Sequence, residues 1–293
     1  MHVPEGHSIH RLARQFTALF VDEELAVSSP QGRFAAGASR LHGHSLVSAL
    51  AHGKQLFLRF DNDLVLRIHL GLYGAWTFGG DSTTFSGSIG APRRTADTGQ
   101  GAEAAQPPYA GPPEPVGAVR VRLVSRRGWA DLRGPTACVV ITPREEALAL
   151  ARLGPDPLQE SADPVAFVTR LRSSATPIGV QLMNQAVIAG IGNVYRAEVL
   201  FLQGISPWRP GKAVPESEAL AAWEDAVRLM QDGVREGRII TTTPSARDGL
   251  TAGTAPHYVY KRTGEPCRRC GTAIASTLLA ARTVYWCPEC QRR

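Results

Sequence analysis

Two groups of residues in this chain have the types and spacing that do chemistry, and they lie at opposite ends. Pro4-Glu5-Gly6-His7 stands close to the start, and Cys267-x2-Cys270 is answered by Cys287-x2-Cys290 close to the finish. A proline whose nitrogen is a chain terminus is a secondary amine. An α-amino group titrates near pH ~8, against about 10.4 for lysine, so much more of it is free base at neutral pH. Attack on a sugar C1′ gives an iminium, which keeps a positive charge and acts as an electron sink. Glu5 beside it is able to protonate a ring oxygen or to relay protons. Both residues precede a helix read over residues 8–20, whose positive end favours an anion there. The plainer reading is a proline that opens a helix and a glutamate that complements its dipole.

The cysteines point to a metal. Four of the five fall in one CxxC-x16-CxxC array, and Cys138 stands alone. Two tight turns that each present two thiolates suit a tetrahedral zinc ion. Four protein ligands leave no open coordination position, so Cys267, Cys270, Cys287 and Cys290 predict one structural zinc and no catalytic metal. Redox use of the CxxC pairs is the rival. Cys138, in Ala137-Cys-Val-Val-Ile141, reads as a buried strand residue.

A third feature joins the two ends. Ile188-Ala-Gly-Ile-Gly-Asn-Val-Tyr195 reads as a tight turn between helices, with glycines for positive φ and Asn193 as a cap. Free N–H groups at the second helix start make a phosphate site, and the Asn193 side chain adds a donor. The chain has net charge +6, and residues 258–293 hold seven Lys or Arg against two acids, which favours an anionic partner. Lys54, after His52-Gly53, begins an apolar strand and reaches for a phosphate or simply meets water. Leu72 and Tyr73 lie between glycines at a turn. Exposed there, they would wedge into a base stack and fill the space left by a flipped nucleotide; turned inward, they would pack in the core.

The elements that must position these residues follow from periodicity. Ile9, Leu12, Ala13, Phe16 and Leu19 share one face of the helix over 8–20. Strands are predicted over 45–51, 54–60, 64–69, 75–78, 119–125, 130–132 and 138–141, with turn residues between them that suit antiparallel hairpins in a sandwich or barrel. Residues 79–118 hold 14 Gly or Pro in 40 positions and read as a flexible insertion without strands. Helices are predicted over 165–171, 179–186, 194–202 and 217–237, then a loop over 241–256 and a β-hairpin bearing the cysteines. The chain is 43% hydrophobic and 20% charged, which allows an ordinary core. No apolar run reaches the ~18 residues of a membrane span, and no signal peptide is evident, so a cytoplasmic protein is expected.

Assembled in this order, the motifs resemble the formamidopyrimidine-DNA glycosylase/endonuclease VIII family over nearly the whole chain. The carriers are Pro4-Glu5-Gly6-His7 with Ile9-His10-Arg11-Leu12; Met183 to Glu198, similar to that family's helix-two-turn-helix; and Tyr260 to Gly271 with Arg282 to Cys290, similar to its zinc finger. The resemblance implies an α+β fold. An N-terminal antiparallel β-sandwich with a flanking helix would occupy residues 4–155, with the insertion at 79–118. A helix-two-turn-helix domain would occupy 160–250 and a zinc finger 256–293, with DNA in the cleft. It implies Pro4 as Schiff-base nucleophile, Glu5 as its acid partner, and Lys54, Asn193 and Arg282 as grips on the phosphates flanking a lesion, with zinc fixing Arg282. Lys54 would thus serve both catalysis and DNA binding, and Leu72 and Tyr73 would contact DNA.

The implied activity is bifunctional: excision of an oxidised base, then strand cleavage by β,δ-elimination. The implied setting is a monomer on damaged DNA at a bacterial nucleoid. His69-x-x-Leu72-Tyr73-Gly74 and Tyr285-Trp286-Cys287-Pro288 resemble the endonuclease VIII-like branch, which favours oxidised pyrimidines. The alternatives are a damage-binding protein without catalysis and a glycosylase for formamidopyrimidine or 8-oxoguanine lesions. Three departures stand out. Gly71 replaces a glutamine common in that branch, the 79–118 insertion is foreign to compact bacterial members, and Met1-His2-Val3 precede Pro4. An internal proline has an amide nitrogen, so Schiff-base chemistry predicts translation from position 3, where valine would reflect a GTG start.

Overall fold

Residues 4–81, 87–91, 109–247 and 249–292 are described in the computed structural model, so Met1-His2-Val3 and the expected start at position 3 lie outside the described residues. Two units emerge, one of Pro4 with residues 8–150, the other of Glu5–His7 with the residues from 151 on. In the first, α1 (Gly6–Phe20) carries Ile9, Leu12, Phe16, Leu19 and Phe20 into a core, each at most 2% exposed. Phe16 meets Trp76 edge-on at 4.8 Å and Phe78 at 5.2 Å.

Around this helix lies one antiparallel sheet of nine strands. In chain order the elements are β1 (Glu24–Ser28), α2 (Ala35–Leu41), β2 (His44–His52), β3 (Gln55–Phe60), β4 (Val65–His69) and β5 (Ala75–Gly80). They continue with β6 (Gly87–Gly90), β7 (Val119–Val124), β8 (Gly128–Arg133), β9 (Ala137–Ile141) and α3 (Pro143–Ala151). The order across the sheet is β6-β5-β8-β7-β1-β2-β3-β4-β9. Its halves are joined by the short β1–β2 pairing, Glu24↔Ser45 and Leu25↔His44, and both halves feed one buried cluster, as in a sandwich. Cys138 is buried in β9, as its sequence setting predicts, and burial pushes its thiol up to about 12.

Four elements escaped the periodicity reading: β1, α2, α3 and β6. The strand β6 lies inside the stretch read as a flexible insertion, and Ile89 pairs with Trp76 and is buried. The rest of that stretch is tied down where it returns: Arg122 Nη1 donates to Pro113 O at 2.7 Å and Arg133 Nε to Val116 O at 2.8 Å. Residues 82–86 and 92–108 of it lie outside the described residues.

The second unit is helical, with α4 (Pro164–Arg172), α5 (Ile178–Gln181), α6 (Asn193–Leu202) and α7 (Glu216–Glu236), then the hairpin β10 (Ala275–Leu279) and β11 (Arg282–Trp286). Asp163 caps α4 by accepting from Val165 N at 2.8 Å, and Gly237, at φ +75°, closes α7. The helix expected over 179–186 shortens to the single turn α5. Side chains there take over backbone partners: Ala186 N donates to Asn184 Oδ1, Gly190 N to Gln185 Oε1, and Gln185 Nε2 to Ile191 O at 3.0 Å. Such local bonds compete with the helix ladder and bend the chain into a loop.

Candidate functional site

The start of α6 is where the second unit gathers its candidate residues. Glu5 is fully buried, and its carboxylate accepts from Gly192 N and Val194 N at 2.9 Å and from Tyr195 N at 3.4 Å. Glu5 therefore caps α6, across 187 residues or more of sequence, rather than complementing the dipole of α1. Gly6 N donates to Gly190 O at 2.9 Å and completes the seam.

The two glycines of the turn have different duties. Gly190 adopts φ +90°, which glycine permits. Gly192 is extended, and its lack of a side chain makes room: a Cβ there would lie 2.4 Å from Glu5 Cδ. Asn193 is not the cap of α6, because Gly192 holds that position and Glu5 fills its role. Three N–H groups expected to be open to a phosphate are thus occupied by Glu5. The donor that suits a phosphate is the Asn193 amide, whose Oδ1 accepts from Arg196 Nη2.

Arg196 is one of the residues that motif reasoning passed over. It is 1% exposed and also donates to Gly179 O at 3.2 Å and to Thr283 O at 2.7 Å. Burial lowers its pKa to about 10, against the pull of Glu5 and with the nearby Arg282 pushing the same way as burial. Its helical spacing from Asn193, three positions, was the available signal. Glu198 is a second omission. Fully buried, it accepts from Thr241 Oγ1, Tyr258 N at 2.8 Å, Val259 N at 2.9 Å and Tyr260 N at 2.9 Å, and so fastens the approach to the cysteine module onto α6.

The four cysteine Sγ atoms of that module lie within 4.8 Å of one another. The pairs Cys267–Cys290 and Cys270–Cys287 are 3.9 Å and 3.4 Å apart, against about 3.8 Å for a tetrahedron with Zn–S of ~2.3 Å. Backbone N–H groups of Arg269 and Cys290 point at Cys267 Sγ and Cys287 Sγ, both at 3.4 Å, as in a metal knuckle. The donor set fits one structural zinc. Arg269 reaches from the first knuckle to the carbonyls of Phe201 and Leu202 at the end of α6, with its guanidinium 4.5 Å from the Phe201 ring. Arg282 opens β11, exposed, directly after a two-residue turn in which Ala280 and Ala281 both have positive φ.

In the first unit the candidates meet where β3 starts and β4 ends. Lys54 sits in the two-residue turn after Gly53, where His52 pairs with Gln55, and not within the strand. His69 ends β4 and is held below its ordinary pKa by burial, then by the charges of Lys54 and Arg67. Its Nδ1 accepts from Gly71 N at 3.1 Å, and its carbonyl from Thr136 N at 2.9 Å. The turn that follows holds Leu72 and Tyr73 at the surface, 43% and 68% exposed, not in the core. Gly71 has φ +67°, and a Cβ there would lie 1.8 Å from Thr136 Oγ1. A glutamine at this position requires a different turn. Lys54, Leu72 and Tyr73 thus share one end of the first unit, and Glu5, Asn193 and Arg282 belong to the second. Pro4 is buried and counted with the first.

Known proteins resemble the chain along its length. Residues 3–128 match the formamidopyrimidine-DNA glycosylase N-terminal domain and residues 153–245 the formamidopyrimidine-DNA glycosylase H2TH domain, while residues 264–293 match the zinc finger found in FPG and IleRS. Endonuclease 8 1 of Mycobacterium tuberculosis is 45% identical over 292 residues, 99% of this chain and 100% of its own. A formamidopyrimidine-DNA glycosylase of Corynebacterium jeikeium is 27% identical over 295 residues, 99% of this chain and 97% of its own. The formamidopyrimidine-DNA glycosylase of Lactococcus lactis, in a crystal structure with DNA containing an AP site, has the same fold. The TM-score is 0.72 at 21% identity, over 99% of this chain and 100% of that one.

Proposed function

We propose a mechanism from one premise: this chain belongs to the formamidopyrimidine-DNA glycosylase/endonuclease VIII family. It is a DNA glycosylase of base-excision repair and an AP lyase, and it carries one structural zinc. What remains is which atoms do the work.

The observation that carries the proposal is Glu5, locked by three N–H donors at the start of α6. Pro4 precedes it by one Cα step of about 3.8 Å, so the nucleophile is attached to a carboxylate whose place is fixed. In the form of the chain that begins at Pro4, its secondary amine attacks C1′ of the damaged nucleotide, and the glycosidic bond breaks with its electron pair leaving on the base. Glu5 relays the proton shed by the amine to the ring oxygen O4′, the C1′–O4′ bond breaks and opens the sugar, and the nitrogen lone pair completes the C1′=N iminium. The resulting iminium acidifies C2′. Loss of that proton expels the 3′-phosphate by β-elimination, and a second elimination releases the 5′-phosphate, while water hydrolyses the imine and frees Pro4. One amine thus serves both bond cleavages.

Lys54, Asn193 and Arg282 grip the phosphates beside the lesion, and Leu72 and Tyr73 occupy the space left by the flipped nucleotide. The substrates are oxidised pyrimidines in damaged DNA, on the strength of the 45% identity to an endonuclease 8 across the full length. The division of labour is a catalytic sandwich over residues 4–155, a helix-two-turn-helix domain over 160–250 and the finger over 256–293. The protein works as a monomer, associated with the nucleoid through DNA; sedimentation at micromolar concentration checks the first point. Among the described residues no helix is long and apolar enough to cross a membrane.

Borohydride trapping on duplex DNA with an abasic site tests the mechanism. The form begun at Pro4 should give a covalent adduct, and the full 293-residue form none. Binding by both without an adduct from either would leave a damage-binding protein. Competition between thymine-glycol and 8-oxoguanine duplexes decides the base: preference for the second would make it a purine-lesion glycosylase.

A further inference from the structure

We infer that Arg196 is a positioning residue that sets both phosphate grips of the second unit, Asn193 and Arg282, from one buried guanidinium. The inference rests on the phosphate roles proposed above for those two residues.

Arg196 lies 1% exposed in α6 and spreads its donors over three elements: Gly179 O in α5, Asn193 Oδ1 at the start of α6, and Thr283 O in β11. A guanidinium only donates, so it selects which end of the Asn193 amide faces it. The oxygen turns inward and Nδ2, the end able to donate to a phosphate oxygen, turns the other way. The bond to Thr283 O fixes the backbone one residue after Arg282, at the point where the chain leaves the Ala280-Ala281 turn. One rigid fork therefore ties the amide and the hairpin to the same helix.

Packing alone does not account for an arginine here. Its charge is desolvated, and the neighbouring Arg282 repels it. A methionine or leucine would fill the space without either penalty. What only a planar, multi-donor cation supplies is two simultaneous bonds in fixed directions, which is why lysine is a poor replacement.

The test uses the full zinc-loaded chain and a duplex carrying a stable abasic-site analogue. Affinity is measured against salt concentration for Asn193→Ala, Arg282→Ala, Arg196→Met, Arg196→Lys and the double variants, with zinc content and thermal midpoint recorded for each. Removing Arg282 should lower the slope of log affinity against log salt by about 0.9, the loss of one phosphate contact. Arg196→Met should produce the same loss of slope with Arg282 still present, and weaken binding roughly ten-fold or more. On an Arg282→Ala background it should add no further loss of slope, and cost no more affinity than Asn193→Ala does there. Arg196→Lys, which keeps the charge and the helix, should lose the slope too, and serves where the methionine variant fails to fold.

Unchanged slope in folded Arg196→Lys, or losses that simply add in the double variants, would overturn the inference while leaving the phosphate roles intact. If Asn193→Ala and Arg282→Ala themselves leave affinity and slope untouched, the phosphate roles fail and the inference falls with them.

Discussion

Asp131 in the first unit and Glu5 and Glu198 in the second are all fully buried carboxylates, yet they are held by different chemistry. Asp131 accepts from Arg122 Nε at 2.7 Å and Nη2 at 2.9 Å and from Arg133 Nη2 at 2.9 Å, so one anion sits between two cations. Glu5 accepts from three backbone N–H groups and Glu198 from three more. Guanidinium groups neutralise a carboxylate; N–H dipoles solvate it and leave its charge in place. The first device cross-links strands β7 and β8 and pins the returning end of the insertion. The second joins distant segments to α6 through backbone N–H groups, while the guanidinium of Arg196 bonds to Asn193 and Thr283. Ion pairs hold neighbouring strands of the sheet together. Backbone dipoles hold the segments gathered at α6.

The strongest way to break that comparison is to remove the metal. Structural zinc contributes an apparent ~10–16 kcal/mol in small finger peptides, more than the whole stability of most domains. Cys287→Ala should therefore abolish bound zinc and lesion affinity together, while the thermal transition of the sandwich stays in place; metal analysis with DNA titration and calorimetry reads all three. Retained affinity without zinc would mean that the hairpin needs no metal to hold Arg282. Next comes Asp131→Asn, which strands Arg122 and Arg133 in the interior at a cost of about 3–5 kcal/mol. It should depress the denaturant midpoint and leave strand cleavage per folded molecule unaltered. Glu5→Gln is the counterpart. Its amide end faces an N–H it cannot accept from, a penalty of about 1–3 kcal/mol. Here activity should fall much further than stability, and equal losses would erase the distinction between the two carboxylates.

Much of this was legible in the sequence, for reasons that differ by element. The Phe16 face of α1, the strands of the main hairpins and the cysteine array are periodic or spaced patterns, and local chemistry alone places them. The strand β1 buries only Leu25 and Val27, too few positions for a pattern to register. Helix α3 was signalled by a capping box that went unread: Thr142 N donates to Glu145 Oε2 at 2.8 Å, and Glu145 N returns to Thr142 Oγ1 at 3.3 Å. The capping of α6 by Glu5 was not legible at all. A contact spanning 187 residues or more leaves no local trace, and Gly192 looked like a turn residue when its function is to make room.

Smaller effects sharpen the contrast within the exposed turns. His69 is held by burial and by Lys54 and Arg67 below the pKa of its unfolded state, ~6.5. Above that value both states are neutral and nothing is lost. As pH falls through it the unfolded chain takes up the proton first, so stability declines with acid. Protonation also removes the acceptor at Nδ1 that Gly71 N–H requires, which loosens the turn bearing Leu72 and Tyr73. Between pH 7 and 5 the thermal midpoint of the native protein should therefore drop more than that of His69→Asn, which keeps an acceptor near the same place but does not titrate. Parallel curves would show that His69 plays no part in the acid response.

The hairpin of the finger sets the opposite balance, because its turn carries strain where the histidine turn is relaxed by a glycine. Ala280 and Ala281 sit at φ +47° and +61°, a conformation that costs a residue with a Cβ about 1–2 kcal/mol. Asparagine followed by glycine is the pair such a turn prefers. Ala280→Asn with Ala281→Gly should slow amide exchange at Thr277 and Val284, paired across β10 and β11, roughly five-fold for each kcal/mol released. Lesion affinity should stay within about two-fold, since Arg196 and the zinc already fix Thr283 and Cys287 on either side of the strand. Unchanged exchange would mean that the finger is already held so firmly by metal and guanidinium that the turn adds nothing. A large loss of affinity with slower exchange would mean instead that the strained turn itself sets the angle at which Arg282 leaves the hairpin.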